Sequence, residues 1–97
     1  MIQSSQDICV RVNEVAVAQL GQDGVGGYVW SMGQLPPGLV LVGEPERKVG
    51  SDVGGGAALE VKLKAEAPGR YVVLFELKRT WGNLEPSERR EVVVEVR

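Results

Sequence analysis

The sequence predicts an all-β fold, an immunoglobulin-like antiparallel β-sandwich of about seven strands. Three observations carry that reading. Segments that alternate apolar and polar residues recur along the chain. Turn residues separate them about every 8–14 positions, the spacing of short sandwich strands. No segment shows a convincing helical period.

Taken in order, residues 1–6 read as a loose polar lead-in. Ile8, Val10 and Val12 then alternate with Cys9, Arg11 and Asn13, the period of a half-buried strand. Asn13-Glu14 is a weak turn signal, and Val15 to Leu20 follows as a second strand. Gly21 to Gly27 holds four glycines and reads as a loop, because glycine has the most backbone freedom to lose in an ordered element. Tyr28, Trp30 and Met32 fall on one side of a third strand. Leu35-Pro36-Pro37-Gly38 breaks it, since neither proline can donate to a ladder. Leu39 to Val42 is a short apolar strand, and Gly43 to Gly56 reads as a polar, partly mobile connection.

The segment 57–66 is the cleanest. Ala57, Leu59, Val61, Leu63 and Ala65 alternate with Ala58, Glu60, Lys62, Lys64 and Glu66, which sets one face on a core and one in water. A helix would scatter those charges around its axis. Ala67-Pro68-Gly69 turns the chain. Tyr71, Val73, Phe75 and Leu77 form another inward row, and Val72 and Leu74 make the opposite face apolar too, as in a central strand or a covered patch. Residues 79–89 read as a loop, and Val92, Val94 and Val96 mark the last strand.

The totals narrow the function. With 97 residues the chain is expected to be a single domain spanning 1–97. A formal net charge of −2 argues against nucleic acid or an anionic membrane as partner, since phosphate binding needs a clustered positive field. No apolar run approaches the ~18 residues of a membrane span. Met1 to Asp7 lacks the basic start and apolar middle of a signal peptide, so the chain is expected to be cytosolic, or to have lost a leader. One cysteine permits no internal disulfide. The absence of histidine removes the commonest general base and zinc ligand. No catalytic residue, metal or cofactor is therefore expected, and the chain is expected to act as a monomer rather than as an enzyme.

Three stretches stand apart from this scaffold: Gly24-Val25-Gly26-Gly27 leading into Tyr28-Val29-Trp30, Val53-Gly54-Gly55-Gly56, and Lys78-Arg79-Thr80-Trp81-Gly82. Side by side at one end of a sandwich they would form a surface for another protein. Neither glycine cluster is a phosphate loop: the first lacks the Lys-Ser/Thr ending and a following helix, and the second precedes a strand.

The order of these features resembles the chagasin-type inhibitors of papain-like cysteine proteases. The matching run is a Gly-Tyr-x-Trp strand, a Leu-Pro-Pro-Gly-Leu turn, a glycine loop, an Ala-Pro-Gly-Arg-Tyr turn, an Arg-x-Trp loop and a valine-rich last strand, over about residues 8–97. The resemblance implies three loops that enter a protease cleft. In the family the first loop reads Asn-Pro-Thr-Thr-Gly before an aromatic. Here Asp23, Gly24, Val25, Gly26 and Gly27 stand there, and only the last glycine agrees; Val25 and Gly26 replace threonines that press near the catalytic cysteine. Gly54, Gly55 and Gly56 match the glycine-rich second loop. Arg79 and Trp81 match the Arg-Pro-Trp of the third, with Thr80 in place of proline.

The residues can be weighed without the family. Glycine lets backbone approach a cleft closely, where free N–H and C=O groups can pair with it. Equally, both clusters can serve turns with positive φ. Trp81 is the best interface anchor, because tryptophan and arginine dominate binding energy; alternatively it folds back and seals the sandwich. Tyr28 and Trp30 read as core. Arg79 either meets a carboxylate or solvates its loop. Cys9 reads as a bystander, and Glu85, Glu88, Arg89 and Arg90 as a solvated loop edge. The reading that results is a reversible, tight-binding inhibitor of papain-like cysteine proteases; the alternative is an immunoglobulin-like interaction or structural module without a protease target.

Overall fold

The computed structural model describes residues 2–23, 27–49, 57–79, 81–82 and 85–97. Eight strands run through them: β1 (Ile2–Val10), β2 (Ala16–Asp23), β3 (Tyr28–Met32), β4 (Leu39–Leu41), β5 (Glu46–Val49), β6 (Ala57–Ala65), β7 (Gly69–Arg79) and β8 (Glu88–Val96). No α-helix occurs among the described residues.

The strands make two sheets. One has the order β1-β8-β7-β3, the other β2-β6-β4, with β5 also paired to β6. Their inner faces share one core. β2 supplies Ala16, Ala18 and Leu20; β6 supplies Val61, Leu63 and Ala65; β7 supplies Val73, Phe75 and Leu77; β8 supplies Val92, Val94 and Val96. Trp30 and Leu39 complete it. Each row is the apolar half of an alternating strand, so burial follows from the two-residue period. Phe75 is fully buried, and a side chain of that size contributes about 1.5–3 kcal/mol by leaving water.

Turns at the far end match their sequence signals. Asn13 adopts a positive φ of 65°, a region that asparagine tolerates better than most residues. The Tyr71 hydroxyl donates to the Ala67 carbonyl at 2.8 Å, the corner hydrogen bond seen in immunoglobulin-like sandwiches.

The structure departs from the sequence expectation in four places. The polar lead-in is strand from Ile2 onward and pairs with β8 in parallel, the one parallel pairing among the described residues. Ladder bonds ask nothing of the side chains, so polarity did not prevent it. Strand β2 continues through Gly21 to Asp23 instead of ending at Leu20, because β6 extends alongside it. Within the stretch read as connection, Glu46–Val49 forms an eighth strand on β6. It is an exposed, charged edge strand of the kind that resists further pairing, with Lys48 and Glu46 at 3.3 Å. The run Glu88-Arg89-Arg90 is half-buried strand rather than loop edge. Of the two readings of the apolar outer face of β7, the central strand is the one found: β7 lies between β8 and β3, while Val72 and Leu74 are about 40% exposed.

Glu76, on the outer face of β7, accepts a hydrogen bond from Arg89 Nε at 2.8 Å and lies 3.2 Å from Lys78 Nζ. Hydrogen bonds from Arg89 and then Lys78 hold its carboxyl below the usual carboxylate range. A depressed folded-state value contributes stability that is present above the unfolded value and lost as pH falls through the folded one. Urea unfolding should therefore show Glu76→Gln less stable than wild type at pH 7. The difference should shrink toward zero as pH drops below the ordinary glutamate range; a pH-independent difference would contradict the assignment.

Candidate functional site

Strand register decides which stretches of chain share an end of the sandwich. Asp23, the last residue of β2, pairs with Ala57, the first of β6. Val49, the last of β5, pairs with the same Ala57. In the other sheet Tyr28, the first residue of β3, pairs with Arg79, the last of β7. Asp23 and Gly27 are four peptide steps apart, a span of at most ~14 Å. Across the gap between the sheets Trp30 Nε1 donates to the Gly21 carbonyl at 2.7 Å. The strand ends that border residues 24–26, 50–56 and 80 therefore lie together.

Of the positions singled out from sequence, Gly24, Val25, Gly26, Gly54, Gly55, Gly56 and Thr80 lie outside the described residues, as does Val53. Asp23, Gly27, Arg79 and Trp81 are described, and all belong to this end. Trp81 is 64% exposed, so its indole stands in solvent and does not seal the core. Trp30 does the sealing: it is buried, while Tyr28 above it is half-buried against the core.

Arg79 takes a place that neither sequence alternative described. Its guanidinium carbon lies 5.1 Å from the Tyr28 ring centre and 5.6 Å from that of Trp81. Both distances fall within the ~6 Å range of cation–π attraction, each contact contributing about 0.5–1 kcal/mol at exposed sites. The cation thus bridges two rings, one anchored on β3 and one in the stretch after β7. Gly27 closes the arrangement. Its φ is +82°, and a Cβ there would come within 3.3 Å of Trp81 Nε1. A larger residue would be strained in backbone and would push the indole, so glycine is what allows residue 27 and Trp81 to touch.

Behind this surface lies a polar cluster. Ser4 Oγ donates to Glu88 Oε2 at 2.9 Å and accepts from Arg90 Nε at 3.0 Å. Arg90 also donates to the same Glu88 oxygen at 2.8 Å, and its guanidinium lies over Trp30, 5.2 Å from the ring centre. Sequence reading missed this cluster because Ser4 sits 84 positions from Glu88 and 86 from Arg90; the parallel β1–β8 register alone places Ser4 opposite Arg90. Cys9 is exposed on the outer face. Among the described residues no group of three or more acidic or cysteine side chains is placed to hold a metal ion.

Three solved structures share this architecture. The cysteine protease inhibitor EhICP2 from Entamoeba histolytica superposes with a TM-score of 0.70 at 19% identity, over 98% of this chain and 97% of that one. PbICP-C, solved in complex with falcipain-2, gives 0.68 at 16% identity, over 98% of this chain and 89% of the other. Amebosin, solved in solution, gives 0.67 at 17% identity, over 100% and 99%. At such identities the likeness is one of fold. No curated protein matches the chain. The family model described as chagasin family peptidase inhibitor I42 matches residues 9–96, nearly the whole length, and the chain belongs to that family.

Proposed function

We propose that this protein is a reversible, tight-binding inhibitor of papain-like cysteine proteases, and that it blocks the active-site cleft without turning over a substrate. The segments proposed to enter the cleft are Asp23–Gly27, Gly54–Gly56 and Arg79–Trp81. The observation that carries the reading is the strand register, which puts the borders of all three segments at one end, with an exposed tryptophan among them. An indole held out in water costs solvation, and a partner's pocket that covers it recovers that free energy. Membership of a peptidase-inhibitor family, and the presence of PbICP-C in a complex with falcipain-2, support the same partner class.

The mechanism is occlusion. A cleft that grips extended peptide offers backbone hydrogen-bonding groups, and glycine-rich chain can approach them without a Cβ in the way. The Tyr28–Arg79–Trp81 stack holds the indole before binding, which reduces the ordering cost of association. An interface of the usual size, about 800 Å² per partner, fits one end of such a small sandwich.

Titration of papain or a cathepsin-L-like enzyme should show stoichiometric loss of activity that is restored on dilution; no inhibition at micromolar concentration across several such enzymes would remove the proposal. Trp81→Ala should weaken inhibition at least tenfold, equivalent to about 1.4 kcal/mol, with little change in Tm. Gly27→Ala should lower stability by about 1–2 kcal/mol, the cost of a side chain in a left-handed conformation. It should also shift the Trp81 fluorescence maximum, because the indole must move; an unchanged spectrum would place Trp81 away from Gly27.

A further inference from the structure

Between Leu20 and Asp23 the β2–β6 ladder loses its one-to-one register. Leu20 faces Leu59 and Asp23 faces Ala57, so two residues of β2, Gly21 and Gln22, stand against the single Ala58 of β6. This is a β-bulge, a device that bends a strand and redirects the chain beyond it. A bulge also takes backbone groups out of the ladder, and these then need other partners. The Gly21 carbonyl finds one in the other sheet: the indole N–H of Trp30, at 2.7 Å.

Trp30 is itself held on two sides. Its inner surroundings are the core, and it is only 8% exposed. Over its face lies the Arg90 guanidinium, pinned in turn by Ser4 and Glu88. Arg90 and Glu88 are largely shielded from water, with side-chain exposures of 24% and 14%. Charges that shielded move little, because leaving their partners would cost desolvation without return. The donor that meets Gly21 is thus fixed by packing and by a hydrogen-bonded triangle. Glycine is not needed at position 21 to make room, since a Cβ there would meet nothing within 4 Å. The Trp30 hydrogen bond ties the bulge to the other sheet.

We propose that Trp30 is a positioning residue for protease binding: its indole N–H latches the bulge carbonyl of Gly21 and thereby sets the direction in which the chain leaves β2 toward residues 24–26. Arg90, stacked on the ring, keeps the latch in place. The inference rests on the reading that residues 23–27 enter a protease cleft, but the latch is also a statement about the free protein and can be tested there.

The experiment compares Trp30→Phe with Val73→Ala, a core truncation on β7, and with Gly21→Ala. Trp30→Phe keeps an aromatic ring in the core and removes the donor. Inhibition of a papain-like enzyme should weaken about tenfold in Trp30→Phe and stay near wild type in Val73→Ala and Gly21→Ala, even where Val73→Ala lowers Tm as much. Amide hydrogen exchange in the free proteins should quicken at residues 21–28 in Trp30→Phe and not in Val73→Ala or Gly21→Ala. Arg90→Lys, which keeps the charge but not the planar stack, should show the same two changes in smaller measure. Equal inhibition and equal exchange in Trp30→Phe and Val73→Ala would overturn the latch. If wild type inhibits nothing, the cleft-blocking reading fails, and the exchange comparison still decides whether the latch exists. If Trp30→Phe does not fold, Arg90→Lys decides the question with both measurements.

Discussion

Backbone register is the constraint on which this molecule depends. Each strand puts its apolar row inward only in one of two registers, and a slip by one residue would turn Val61, Leu63, Phe75 and Val94 out to water. The same pairing that buries those rows also fixes the ends of the strands. Tyr28 lies beside Arg79 because Trp30 faces Leu77 deeper in the sheet, and Asp23 lies beside Ala57 because the β-bulge beyond the Leu20–Leu59 pair shifts the register by one residue. Hydrophobic burial in the middle therefore determines geometry at the end, with no need for the end to be stabilised by its own core.

The end is held by a different class of interaction. Where Tyr28 pairs with Arg79 the contacts are mixed: an indole N–H to a carbonyl, guanidinium groups on aromatic faces, and a serine bridging an ion pair. Each contributes little alone. Together they restrict side chains that would otherwise have to be ordered on binding, and ordering costs about 0.5–1.5 kcal/mol per flexible side chain at an interface. Among the described residues no buried side-chain nitrogen or oxygen lacks a hydrogen-bond partner, so the polar end carries no unsatisfied group as a cost.

The fold persists in relatives that share under a fifth of their residues with this chain. Sandwich cores tolerate such divergence because residues of roughly the right size and polarity suffice to fold the chain. Binding ends are less forgiving in chemistry and freer in sequence, since each partner cleft asks for its own contacts. In the stretch 23–27 only the last glycine agrees with the family pattern. Gly27 is the position where a positive φ and an approaching indole both exclude a side chain.

What could be read directly from the residues was whatever depends on local period. The alternation in 57–65 and 71–77 specified strand and inward face together, because side-chain direction in a strand has period two. The glycines, Asn13 and the prolines marked turns through their own backbone preferences. Trp81 was singled out by its chemistry as a surface residue or a seal, and it is exposed. Hidden from the sequence was everything that depends on pairing at a distance. Polar residues 2–6 and charged residues 46–48 joined sheets because a neighbouring strand offered ladder bonds, which no side-chain pattern announces. Arg79 between two rings, Trp30 on the Gly21 carbonyl, and Ser4 beside Glu88 and Arg90 arise only when strands meet in register. Local periodicity determined which residues face inward; the tertiary structure decided which of them meet, because contact across sheets depends on long-range register and not on neighbours along the chain.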